Sequence, residues 1–328
     1  RYNTDSNKME CFNGTKWYEI SVSSPDLNGS GRGFPGAGGR TPSSAPGFTA
    51  QIDYITIATA GDTADFGDLV QNRGTSGGAA SSTRGVVMGG QIGSSPNRDD
   101  IIDYITMSSL GNATTFGNLT QDVLGYGGGL SNNTRAIRAG GNINPGTDTD
   151  TIDYITIAAT GNAVDFGNLV AARDYVGAVA SPTRGVFIAG RTAPGAYTNT
   201  MEYITIATTG NTQDFGDAQL AGYGNPGVSN STRGLFHTYS GASNSDRIDY
   251  ITIATKGNSQ EFGNLPGTEH MVGGCSSSLR AVFAGGASYS TEMTYFTFAT
   301  QGDGVDFGDI TGGRDESCDG FSNCHGGL

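Results

Sequence analysis

Residues 153–169 read Asp153-Tyr154-Ile155-Thr156-Ile157-Ala158-Ala159-Thr160-Gly161-Asn162-Ala163-Val164-Asp165-Phe166-Gly167-Asn168-Leu169. β-Branched and aromatic residues fill the opening positions, which is the composition of a buried strand. Thr160-Gly161-Asn162 carries turn chemistry, because glycine and asparagine tolerate positive φ. The residues from Asp165 to Leu169 then read as a second strand. This stretch recurs along the chain. Asp-Tyr-Ile-Thr stands at Asp53, Asp103, Asp153 and Asp249, followed by isoleucine except at Met107, with variants at Glu202 and Thr294. A Phe-Gly pair follows each copy, at Phe66, Phe116, Phe166, Phe215, Phe262 and Phe307, with intervals of 50, 50, 49, 47 and 45 residues. The tyrosines Tyr54, Tyr104, Tyr154, Tyr203, Tyr250 and Tyr295 keep the same intervals.

Working upstream, each copy has a basic-then-small step at Arg32, Arg84, Arg135, Arg184, Arg233 or Arg280, then a short apolar run that usually ends in Gly-Gly or Ala-Gly. Each unit therefore predicts four strands. In the third and fourth units these are 176–181, made of small residues; 185–189, after a turn at Pro182-Thr183; 152–157; and 165–169. Small residues suit strands that converge on an axis, and a strand apolar on both faces suits a sheet held between two others. One phenylalanine per unit is expected to fill the groove between neighbouring sheets. A single unit cannot cover its own apolar faces, whereas a closed ring covers them all. The expectation is an all-β, six-bladed β-propeller with four-stranded blades over residues 29–328, preceded by a separate segment, 1–28. The first unit lacks a first strand, and the tail from Glu316 to Leu328 matches one, with His325 falling 45 residues after Arg280. The C-terminal strand is thus expected to close the ring.

Composition limits the partners. Lys, Arg, Asp and Glu make up 15% of the chain, and 54 of its 328 residues are glycine. The formal net charge is −13. Such a field repels phosphate backbones and anionic headgroups, so neither nucleic acid nor a membrane surface is an expected partner. No apolar run approaches the ~18–20 residues of a membrane span. The chain opens on Arg1 without a signal-peptide pattern, which suggests a fragment or a processed product. Cys318, Cys324 and His325 form one loose group, while a closed zinc site needs four ligands, usually in tight pairs. No metal and no cofactor is expected.

Other motifs have bland readings. Asp-Phe-Gly resembles a kinase metal-binding triplet, but Thr115 and Glu261 replace the aspartate in two copies and no nucleotide loop accompanies it. Gly29-Ser30-Gly31-Arg32-Gly33 lacks the strand-then-helix setting of a phosphate loop. The repeated acids (Asp53, Asp103, Asp153, Glu202, Asp249 and those before the phenylalanines) are spread one or two per blade, whereas Ca²⁺ wants its oxygens gathered in one loop. They are expected to pair with the once-per-blade arginines or to accept from blade-edge amides. No Ser-His-Asp or Cys-His set stands out, so no enzyme is expected.

The Gly-Gly after the second strand, the third-strand tyrosine and the fourth-strand aromatic resemble the kelch repeat over about residues 30–328, with phenylalanine where tryptophan is common. Residues 1–20, with Tyr2-Asn3-Thr4-Asp5 leading to Phe12-Asn13-Gly14-Thr15-Lys16-Trp17, resemble a segment of bacteriophage tail-fibre and virion proteins, and Asn13-Gly14 is a tight-turn signal. The repeat string itself is similar to repeats in structural proteins of marine phages. These resemblances imply a virion component, a tail or fibre domain working in an extracellular particle. It would join an oligomeric assembly through its N-terminal segment, next to other virion proteins, and would recognise a host-surface glycan or protein. The alternative is a purely architectural protein of a capsid, tail or surface assembly. Diversity gathers in the second-to-third-strand loops, 91–100, 142–151, 191–199, 242–248 and 287–292. Tyr197 and Tyr289 are the aromatics there that could stack on a sugar.

Overall fold

Gly177–Ala180, Arg184–Thr192, Ala196–Thr205 and Gln213–Asp217 form one antiparallel sheet in that spatial order. The computed structural model describes residues 2–3, 8–12, 15, 17–20, 31–43, 47–93, 97–124, 128–144, 147–192, 195–224, 227–239, 245–268, 273–315 and 320–328. Among these, six such blades make up a β-propeller. We number that sheet blade 4. Blade 2 comprises Gly77–Ala80, Arg84–Ile92, Arg98–Thr106 and Thr114–Val123; blade 3, Gly128–Ser131, Arg135–Ala139, Thr151–Thr156 and Val164–Asn168. Blade 5 comprises Val228–Ser229, Arg233–Tyr239, Arg247–Thr252 and Gln260–Asn264; blade 6, Gly273–Ser276, Arg280–Ala284, Glu292–Thr297 and Val305–Asp309. In blade 1 the chain ends meet: Phe321–Ser322 pairs antiparallel with Arg32–Ala37, which continues to Gln51–Thr56 and Ala64–Asp68. The ring is closed by the C-terminal strand. Phe321 stacks on Phe34 at 5.0 Å, so two residues of pairing are backed by aromatic packing.

The core lies between blades. The six fourth-strand phenylalanines are only 2–4% exposed. Phe166 packs in one cluster with Ile152 and Leu169 of its own blade and with Phe187, Ile204 and Ile206 of blade 4. The junction of blades 6 and 1 has the same form, joining Phe307 and Met293 to Ile55 and Ile57. Each phenylalanine meets its own blade's tyrosine edge-on at 5.7–6.2 Å.

The rim repeats a second contact. The amides of Gly61, Gly111, Gly161, Gly210, Gly257 and Gly302 donate to the phenylalanine carbonyls of the preceding blade at 2.6–3.0 Å. The next side chain in each turn, an Asn or Asp, accepts from a fourth-strand amide of that preceding blade at 3.0–3.1 Å, as Asn162 does from Asn118. This asparagine therefore serves as an acceptor, and the turn's positive φ falls on the glycine. It also explains the Phe-Gly pair. A Cβ on Gly117 would collide with the Gly161 carbonyl of blade 3.

Several expectations change. The Gly-Gly step does not end the second strand in blades 2 and 4. It is a bulge, with Gly89 at φ 62° and Ala189 at φ 54°, after which pairing resumes as Gly190↔Thr198 and Arg191↔Tyr197. The segment 191–199 is thus largely a projecting hairpin. In blade 2, likewise, the second strand runs to Ile92 and the third begins at Arg98. The once-per-blade arginines do not pair with the repeated acids. Arg32, Arg84, Arg135, Arg184, Arg233 and Arg280 each lie over the tyrosine of their own blade, 4.6–5.3 Å from its centroid. Each also donates to a carbonyl of the next blade at 2.6–3.2 Å, as Arg135 does to Ile206. Near the N-terminus, Lys8–Phe12 pairs with Trp17–Ile20 as the expected hairpin, and Tyr2–Asn3 adds a third strand. Asn13 and Gly14 lie outside the described residues.

Burying each phenylalanine contributes about 1.5–3 kcal/mol, and truncation adds a cavity term. Phe166→Ala is therefore expected to lower stability by about 3–5 kcal/mol in equilibrium denaturation. A loss below about 1 kcal/mol would show that the junction collapses around the gap.

Candidate functional site

The repeated acids occupy closed positions. Asp103 pairs with Arg73 at 2.6 Å, Glu202 with Arg173 at 2.7 Å, and Asp53 with Arg314. Those three arginines sit in the linkers that enter blades 2, 4 and 1, and they are almost wholly buried. Asp249 instead takes Arg247 at 2.6 Å, and Asp153 accepts from the Thr120 amide and hydroxyl. Blade-edge amides thus reach the acids as expected, while the arginines that do so are linker residues, apart from Arg247 in the third strand of blade 5. Burial pushes the carboxyls of Asp53, Asp103 and Asp153 up, against the pull of their partners. Among the described residues no group of three or more His, Cys, Asp or Glu side chains is placed to hold a metal ion. Cys318 and His270 lie outside the described residues.

The axis is narrow. The six first strands and His325 line a cavity of about 40 Å³, room for a few waters. Hydroxyls tie neighbouring inner strands together: Ser131 donates to the Ala80 carbonyl and Ser229 to that of Ala180, both at 2.8 Å. His325, matched in the sequence to a second-strand basic residue, instead turns into this cavity. Its Nε2 lies 2.9 Å from the Ala80 carbonyl, and its Nδ1 accepts from the Gly327 amide at 3.1 Å. These partners assign the neutral Nε2–H tautomer.

The opposite situation holds where blades 4 and 5 meet, on the face of the projecting hairpins. Tyr223, in the linker into blade 5, is the centre of an aromatic group. Tyr175 lies 4.1 Å from it, Tyr197 meets it edge-on at 5.1 Å, and Tyr239 stacks nearly parallel at 5.7 Å. All four tyrosines are half-buried. Arg191, at the bulge end of the blade 4 hairpin, covers Tyr175 at 4.8 Å and Tyr223 at 5.7 Å. Its Nε and Nη2 hold both oxygens of Asp174 at 3.0 and 2.6 Å. Backbone bonds between residues 174 and 191 fix that pair in place. Burial raises the Asp174 carboxyl to about 6 despite Arg191, and the bond to Asp174 holds Arg191 firmly protonated. Burial and the hydrogen bond that its hydroxyl donates to Tyr197 raise the Tyr223 phenol to about 12.

The structure thus places Tyr197 inside a constellation and leaves Tyr289 outside it. Tyr289 sits half-buried in the 3₁₀ turn Ala287–Tyr289, at φ 62°, and no ring stacks on it among the described residues. Tyr175, Tyr223, Tyr239, Arg191 and Asp174 were not among the sequence candidates. Departure from the repeat is only part of their signal: Tyr175 at φ 54° stands where Thr75 at φ 56° stands two blades earlier, but in sequence Tyr126 holds the same place, nine residues before Arg135. No protein-family model matches the chain, and no curated protein matches it.

Burial in the axial cavity pushes the His325 imidazole down from 6.5 to about 4. The unfolded chain then binds the extra proton between those values. The stability held by neutral His325 is complete above about pH 6.5 and is lost as pH falls toward 4. The melting temperature of the wild type should fall more steeply over that range than that of His325→Gln. Parallel curves would place the ring in solvent.

Proposed function

We propose that the protein is a non-enzymatic virion component, a tail or fibre domain. Its disc recognises a host-surface glycan or protein through the face that carries the second-to-third-strand hairpins. One observation carries this reading. The face formed by the first-to-second and third-to-fourth turns repeats the same arginine, tyrosine and Gly-Asn/Asp contacts from blade to blade, whereas the other face concentrates the departures. There, at one junction, four tyrosines and an Arg–Asp pair gather around a hairpin that projects past its bulge. Loops on a frame fixed by packing are where binding residues can vary without cost to the fold.

Binding rather than catalysis is supported by the acids, since Asp53, Asp103 and Glu202 are each engaged by a buried arginine. The virion setting is supported by the resemblance of residues 1–20 to phage-fibre segments and by the strand pairing found there. The kelch-like landmarks concern the frame and carry no ligand. The net charge of −13 supports a neutral or cationic ligand, and a neutral sugar, held by stacking and hydrogen bonds, would bind with little dependence on salt.

The test replaces segments 191–199 and 287–292 with short Gly-Ser linkers and measures attachment of the labelled protein to host cells. A variant with unchanged circular dichroism and melting should lose attachment. Unimpaired attachment would remove recognition from this face and favour the architectural reading.

A further inference from the structure

The face is an extended surface, and the cluster at the junction of blades 4 and 5 narrows it to one place and one ligand chemistry. We propose that Tyr175, Tyr197, Tyr223, Tyr239, Arg191 and Asp174 form a binding site for an uncharged pyranoside, stacked on the tyrosines and hydrogen-bonded to the Arg–Asp pair. This inference rests on the recognition reading given above and deepens it.

The junction does not need these rings for its core, which Phe215, Ile188, Met201, Phe236 and Ile251 already fill. The tyrosines lie above that core, each partly exposed. They come from four separate segments: the linker into blade 4, its third strand, the linker into blade 5 and the second strand of blade 5. Tyr223 pairs in backbone register with Tyr239, and Arg191 with both Tyr197 and Asp174. The group is therefore held by strand pairing rather than by chance contact of long side chains. Preorganised aromatic rings give contact area at small entropic cost.

A pyranose matches this surface in two ways. Its C–H face is apolar and flat enough to lie on a phenol ring, whose negative face attracts polarised C–H groups. Its hydroxyls need fixed donors and acceptors. Arg191 spends Nε and Nη2 on Asp174 and is 34% exposed, and its Nη1 has no protein partner among the described residues. Asp174 is 2% exposed, so it serves as the anchor that aims the guanidinium. The anchor also sets the charge preference. The pair is locally neutral, and a free guanidinium that could select a carboxylate or phosphate is absent from the cluster, because Asp174 already occupies its bidentate edge. The acidic field of the whole chain opposes an anionic sugar as well.

The experiment labels tyrosine rings for NMR in the full chain. It titrates the methyl glycosides of glucose, galactose and mannose, with methyl glucuronoside and a methyl sialoside as charged comparators. The expected result is saturable shifts at the four cluster tyrosines with at least one neutral glycoside, and much weaker shifts with the acidic ones. Tyr197→Ala and Tyr239→Ala, at the edge of the group, should weaken binding tenfold or more. Tyr289→Ala should leave it unchanged. Tyr197→Phe, which keeps the ring, should retain most of the affinity and shows that a loss in the alanine variant is not misfolding. Preferential shifts with the acidic glycosides would overturn the ligand class. Shifts centred on Tyr289 or another hairpin would overturn the cluster while leaving recognition by this face intact. No shift at any tyrosine of the face, with any glycoside, would overturn the proposal, and attachment to host cells would then separate recognition of a surface protein from no recognition at all.

Discussion

The structure depends on the contact between the fourth strand of one blade and the third-to-fourth turn of the next. Three bonds recur at every junction: turn glycine to phenylalanine carbonyl, a second amide two residues on, and the fourth-strand amide to the Asn or Asp side chain. Backbone meets backbone there, and that approach is possible only because the residue after phenylalanine has no side chain. Each net hydrogen bond contributes about 0.5–1.5 kcal/mol, less than the burial of the phenylalanine beneath it. The hydrogen bonds define the step from blade to blade and the apolar clusters make it stable. Because the junction of blades 6 and 1 has the same three bonds, the ring closes with the same step as its other junctions.

Polar residues divide the remaining work by position. On the turn face, an arginine lies over each tyrosine and reaches the following blade, and the tyrosine rests against phenylalanine. Arg, Tyr and Phe thus make one continuous stack per blade across the junction. On the hairpin face, linker arginines are buried against third-strand acids and fix the route from one blade to the next. A buried pair of this kind contributes little net stability, yet leaving either partner alone would be costly. With the frame determined in this way, the hairpins beyond the bulges are free to differ. The hairpin face is therefore where residues can serve binding.

Much of this was legible in the sequence. The intervals between Phe66 and Phe307 fixed the number of blades, the third-strand Asp-Tyr-Ile-Thr-Ile placed the strand held between neighbours, and the missing first strand pointed to the tail. Two things were hidden. The arginine that an acid meets depends on the path of a linker, so the regular spacing of Arg32, Arg84 and Arg135 suggested partners that lie on the other face. The tyrosine cluster was hidden because Tyr175, Tyr197, Tyr223 and Tyr239 are far apart in sequence, and although Tyr175 and Tyr223 hold corresponding linker positions, Tyr197 and Tyr239 come from different parts of their repeats. Only folding brings them together, and only comparison among copies marks them, since a repeat search weighs what recurs and discards what differs. The Gly-Gly step misled for a related reason. Positive φ reads as a strand end in sequence, which holds in blades 1, 3 and 6, whereas in blades 2 and 4 it is a bulge with pairing on both sides.

The most direct measurement is amide hydrogen exchange at the rim glycines of the native chain. If six equal junctions hold the ring, the amides of Gly61 and Thr63, which cross the last junction, should be as protected as those of Gly161 and Ala163 in the middle. All four should then exchange only through a shared global opening. Rapid exchange at Gly61 and Thr63 with Gly161 and Ala163 still protected would contradict the account. The ring would then be an open arc whose ends merely touch.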